Sequence, residues 1–192
     1  MAEHPCSGQA SEAVLTAEHA AVEMYRFAAL MLGNEAQALQ LVESTVAGVD
    51  IDPCADPARA QGLVRERVVV GTLAIMHQHD PDSFGHVPAT QPGAPCIEDD
   101  ETSPVSRTEI SAMVAGAERG RFRDWLDRLS LAQRAVFVQR AVLGSSNADT
   151  ARAINHFASP AIWTAEAVSG LFRQALCSLA SAMVQSAPAI PV

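Results

Sequence analysis

The chain has 192 residues, 48% apolar and 5% aromatic, with a formal net charge of −9. That apolar share is enough to bury a core and excludes wholesale disorder; few aromatics beside abundant Ala favour thin helices packed closely. No apolar run is long enough to span a bilayer and the acidic start MAEHPC is no secretory leader, so a cytoplasmic protein with reduced thiols and no disulfide framework is expected.

A first helix fits residues 12–32, with Val14, Leu15, Val22, Tyr25, Ala29 and Leu32 near helical spacing. Gly33 is placed to end it in the left-handed conformation. Asn34 then opens a second helix as N-cap, with Gln37 three residues on, and that helix should fade by Gly48. Residues 49–55 read as a loop. Asp56 followed by Pro57 starts a third helix, since Pro costs nothing in a first turn, and it should run to about His77. Its Val68-Val69-Val70 run has no bracketing turn signals and stays with the helix.

Between Asp80 and Arg107 the composition changes. Prolines, glycines and the acidic run Glu98–Glu101 mark a linker. Beyond it, Thr108 is an expected N-cap for a helix to Leu129, bent at Gly116 or Gly120. Ser130 and Gln133 form a capping-box pattern for a helix through Leu143, closed by Gly144. Ser146 and Asp149 cap a short helix through Ile154, and a last helix reaches about Met183. Its start is open between Thr164, which leaves an expanded turn, and Ser159, which gives a compact one. The organisation is therefore all-α: residues 1–79 as one helical lobe, 80–107 as a flexible acidic linker, 108–185 as a second lobe containing a helix–turn–helix, and 186–192 as a disordered tail.

Charge is unevenly placed. All 13 basic residues are Arg, and from Ala141 to Val192 only Arg152 and Arg173 stand against Asp149 and Glu166. DNA affinity rests largely on cations that neutralise phosphates, so this module has the order of a DNA-binding shape without the usual charge. Arg119, Arg121 and Arg123 form the densest basic cluster, a candidate phosphate contact; the interleaved acids also fit a solvated face with local ion pairs. His77, His79, His86 and Cys96 lack standard zinc spacing and read more simply as solvated residues. No nucleophile–base pair, phosphate loop or carboxylate pair stands out, so neither an enzyme nor a cofactor is expected.

Two patterns carry a family resemblance. Gly33, Asn34, Gln37, Ala38, Leu39, Gln40, Leu41, Val42, Glu43, Ser44, Thr45 and Val46 fall without a gap on the stretch G-D-x-x-D-A-E-D-L-V-Q-E-T-F. Leu129, Ser130, Arg134 and Arg140, then Gly144, Ser145, Ser146, Asp149, Thr150 and Ala151, fit L-P-x-x-x-R-x-x-x-x-L-R followed by G-L-S-x-x-E-I-A. Both belong to the extracytoplasmic-function group of sigma-70 transcription initiation factors, which this chain resembles over about two-thirds of its length. The resemblance implies a region 2-like first lobe and a region 4-like second lobe.

It also implies roles, which carry over only where residues match. The helix matching 34–46 would dock on the clamp helices of the RNA polymerase core. Here Leu39 and Gln40 replace the family's acidic pair, Glu43 its Gln and Ser44 its Glu, leaving Gln37, Leu39, Gln40 and Glu43 as candidate contacts. The third helix would melt and read the promoter, a task that uses stacking faces and cations. Residues 47–83 contain no Phe, Tyr or Trp, and Arg59, Arg65 and Arg67 are their only Lys or Arg residues. On the last helix the positions that usually carry Lys and Arg hold Ser169, Gly170, Leu171 and Gln174, with Arg173 the remaining candidate for DNA. Trp163 and Leu171 suit a protein contact or extra core better than base reading.

Two functional expectations follow. One is a sigma-type factor acting through RNA polymerase core and promoter DNA. The other is a sigma mimic that does not read DNA and binds a protein, such as an anti-sigma factor, through exposed apolar residues such as Leu39 or Leu171. Neither involves a membrane.

Overall fold

A computed structural model describes residues 10–50, 56–88, 96 and 107–185, with side-chain surroundings for 19–50, 56–88, 96 and 108–183. Among these residues it has eight helices and no strand: α1 (Ala10–Leu32), α2 (Glu35–Ala47), α3 (Pro57–His79), α4 (Arg107–Ala115), α5 (Arg119–Asp127), α6 (Leu131–Ala141), α7 (Asn147–Asn155) and α8 (Ala165–Gln185). The chain divides into two compact units between Ile75 and Met76, inside α3, slightly before the boundary expected at residue 79. The acidic run at 98–101, the tail at 186–192, the loop residues 51–55 and Cys6 and Cys54 lie outside the described residues.

The first unit is built on an αα-hairpin. Gly33 takes φ 67°, a conformation open to Gly without a Cβ penalty, and its N–H bonds Ala29 O at 3.0 Å. Asn34 then accepts the Gln37 N–H at 3.0 Å, satisfying one of the orphan donors of the new helix. The hairpin packs α1 on α2, burying Met24, Phe27, Ala28, Met31, Ala38 and Val42. Asp56 caps α3 by accepting the Arg59 N–H at 3.0 Å. The Val68–Val70 run is helical as expected, with Val68 and Val69 in the core.

The second unit has the larger side chains. Helix α4 starts at Arg107, so Thr108 lies in its first turn and is not its cap. A break at Gly116 separates it from α5; a Cβ there would sit 2.6 Å from Ala112 O. Ser130 and Gln133 make the full reciprocal capping box at the start of α6. Phe122, Trp125, Phe137 and Phe172 form an aromatic core, with Trp125 and Phe137 edge to face at 4.8 Å between centroids. Arg134 is buried and donates to Leu126 O at 3.0 and 3.2 Å and to Asp127 at 2.8 Å. It thereby satisfies an end-of-helix carbonyl and ties α5 to α6. Helix α8 packs on both α6 and α7 through Val168, Leu171, Phe172, Ala175, Leu176 and Leu179.

Part of the segment expected to be a flexible linker is fixed to this unit. Phe84 is fully buried, and its carbonyl accepts the indole N–H of Trp163 at 3.1 Å. Twelve residues on, Cys96 is joined to Cys177 of α8 by a disulfide. The expectation of reduced thiols is overturned at this pair; the partners are far apart in sequence, and no spacing signal announces them.

Candidate interaction surface on helices α7 and α8

Helices α7 and α8 and their connections occupy the stretch expected to form a helix–turn–helix. The first connection is compact. Gly144 takes φ 66°, and Arg140 spans the turn, donating to Ser145 O at 2.6 Å while its guanidinium carbon lies 5.1 Å from the centre of the Phe172 ring. Ser146 accepts the Asp149 N–H at 3.0 Å and donates its hydroxyl to the Asp149 carboxylate at 2.6 Å.

The second connection, residues 156–164, is expanded. Thr164 accepts the Ala167 N–H at 3.2 Å, which settles the start of α8 at the later of the two expected positions. The loop is organised around Trp163, which is nearly fully buried. Asn155 holds its backbone from both sides: Trp163 N donates to Oδ1 at 2.8 Å and Nδ2 donates to Trp163 O at 2.9 Å. The peptide bond between Ser159 and Pro160 is cis. Beside the buried indole, Ile162 is 77% exposed, more than any other large apolar side chain described. The loop thus fills its interior with one side chain and displays the next.

Both helix N-termini of the motif are occupied by carboxylates of the chain itself. Asp149 is held below the usual aspartate range by the Ser146 hydroxyl and then by Arg152, whose guanidinium lies 2.6 Å away. Glu166 is held below the usual glutamate range by its own backbone N–H and then by the Thr164 hydroxyl. A helix N-terminus is a ready anion site, and phosphate contacts in DNA complexes use it. Here a phosphate would meet a carboxylate at each one.

The other candidate residues divide by location. Leu39, Gln40 and Glu43 lie exposed on α2, with Gln37 half-buried beside them. Leu39 and Val46, seven residues apart and thus on one side of the helix, are each about half exposed, 48% and 47%. Arg59, Arg65 and Arg67 are exposed on α3; Arg67 donates to Gly48 O at 2.7 Å and so helps close the end of α2. Arg119 and Arg121 are exposed on α5, Arg123 is half-buried, and Arg121 pairs with Glu118 at 3.1 Å. Arg173 is half-buried on α8. Leu171 is 1% exposed, which corrects its expected role as an exposed contact: the α8 register turns it into the core between Val168 and Ala175. Trp163 is likewise core. Among the described residues no group of three or more His, Cys, Asp or Glu is placed to hold a metal, and no helix is long and apolar enough to cross a membrane.

Asn155, Ile162 and Phe84 were missed by sequence reasoning. The available signal was a Trp and a Pro in a connection too long for a compact turn. No family model, curated protein or solved structure matches this chain.

Proposed function

We propose that this chain is a sigma-70-like regulatory protein of transcription that works through protein contacts and does not read promoter DNA. The observation that carries this reading is Glu166, whose carboxylate is seated at the N-terminus of α8, the helix that would enter a groove. It takes up an N–H group that a phosphate would use, whereas Asp149 at the start of α7 falls on an acidic position of the family pattern and does not discriminate. Arg152, which the sequence offers as a cation, is engaged with Asp149, and Leu171 is unable to reach a base from the core.

The contact residues in this reading are Leu39, Gln40 and Glu43 on α2 and Ile162 on the α7–α8 connection. The partner is RNA polymerase core or an anti-sigma-like protein. An apolar side chain held on an ordered loop loses little conformational freedom when a partner covers it, and Ile162 has that character.

The test places a photo-crosslinking residue at position 39 or 162 of the full chain in its own cells. Capture of a polymerase subunit or of a small anti-sigma-like protein is the expected result. Duplex DNA binding is measured in parallel. Binding whose log affinity falls with log salt by a slope of about −0.9 per neutralised phosphate, over several phosphates, would overturn the reading in favour of a promoter-binding factor.

A further inference from the structure

The bond between Cys96 and Cys177 joins two different surroundings. Cys177 sits half-buried on α8, on a stretch held independently of the disulfide. Its neighbours Leu176 and Leu179 are core, Ser178 accepts the Trp125 indole N–H at 3.1 Å, and its own carbonyl accepts the Ser181 hydroxyl at 2.9 Å. Cys96 is exposed. The last described anchor before it is Phe84, which is buried against the Trp163 loop. The two Cα atoms lie 5.8 Å apart, within the ordinary range for a disulfide.

The geometry points to Cys96–Cys177 as a site of thiol–disulfide exchange with a dithiol reductant of the thioredoxin class, with attack directed to Cys96. A reductant thiolate attacks the sulfur of the exposed Cys96, the Cys96–Cys177 bond breaks, and Cys177 leaves as a thiolate that takes a proton. The reductant's second thiolate then displaces Cys96 from the mixed disulfide, and Cys96 is protonated in turn. The protein disulfide gains two electrons and two protons, and the reductant dithiol becomes a disulfide.

The anchoring makes the step reversible. After reduction Cys177 keeps its place on α8, and Cys96 remains leashed to Phe84 by twelve residues, a reach of about 40 Å at full extension. Re-formation is therefore intramolecular and favoured by a high effective concentration. Glutathione disulfide is a sufficient oxidant, closing the bond through a mixed disulfide and releasing two glutathione thiols.

The test uses the full chain carrying Cys6→Ser and Cys54→Ser, purified without reductant, so that only this pair is read. It does not depend on the proposed protein partner, so its result and that of the crosslinking experiment stand apart. No iodoacetamide uptake before reduction and uptake at two positions afterwards are expected. A thioredoxin-class protein whose resolving cysteine is replaced by Ser should be trapped as an adduct, and peptide mapping should place it on Cys96. Removal of reductant and addition of glutathione disulfide should restore the closed form with loss of both free thiols. Two free thiols in the unreduced protein, an adduct on Cys177, or failure to re-close while circular dichroism shows intact helices would each overturn the proposal. In the same background, Cys96→Ser, a change at an exposed position, should stay folded and abolish trapping; an adduct in that variant would also overturn it.

Discussion

The two connections around α7 solve the same problem by different means. The α6–α7 turn uses short-range devices: a glycine at φ 66°, a serine cap and an arginine spanning a few residues. The α7–α8 connection uses a single large side chain, Trp163, hydrogen-bonded to a residue 79 positions earlier in the chain. The first kind of turn is written locally and tolerates change nearby. The second depends on a partner brought from outside the motif, and it takes its shape only when that partner is in place.

Breaking the second connection should have the largest effect. Trp163→Ala removes a buried indole and its hydrogen bond and should cost about 3–5 kcal/mol, measured by urea unfolding. Amide exchange should show the loss of protection concentrated at α7–α8, with the α6–α7 cap amides less affected. Asn155→Ala removes both bonds to the Trp163 backbone and should cost about 2 kcal/mol, because two partly buried groups lose their partner. If it costs as little as an average surface change, the indole alone organises the loop.

Ser146→Ala acts on the local connection and should cost about 1 kcal/mol, confined to the start of α7. The smallest effect is acid titration of the two N-terminal carboxylates. Asp149 and Glu166 have folded pKa values below their ordinary ones, so their contribution is present above the ordinary carboxylate range. It is lost as pH falls through the folded values, which lie below the ordinary ones. Both groups are exposed, so the change should be slight and confined to exchange protection in the first turns of α7 and α8. Asp149→Asn should remove the α7 part and leave the α8 part unchanged.

The same division explains what could be read from the sequence. Gly33, Asn34, Asp56, Ser130, Ser146 and Thr164 act within three or four residues, and each ends or begins a helix where its residue type suggests. The all-helical organisation follows from such signals together with apolar spacing. Phe84 and Cys96 sit in a stretch whose prolines and charges argue for a linker, and nothing nearby shows that Trp163 and Cys177 will hold them. Of the two readings open for Leu171, protein contact or extra core, the core holds: the apolar period from Val168 to Leu179 outweighs a family position that suggests a charged face. The candidate contacts on α2 were readable as exposed because the buried face is spelled out by Ala38 and Val42.

Arg134 carries a consequence for how resemblance is weighed. It matches a position of a DNA-associated motif, yet its guanidinium is consumed by the Leu126 carbonyl and the Asp127 carboxylate. Replacing it would remove the side-chain tie between α5 and α6, although the Leu129 N–H would still bond Leu126 O at 3.1 Å, so a lineage that had abandoned promoters would still have reason to retain it. A motif of this kind is a record of what the scaffold requires, and it can outlast the occupation for which the scaffold first became known.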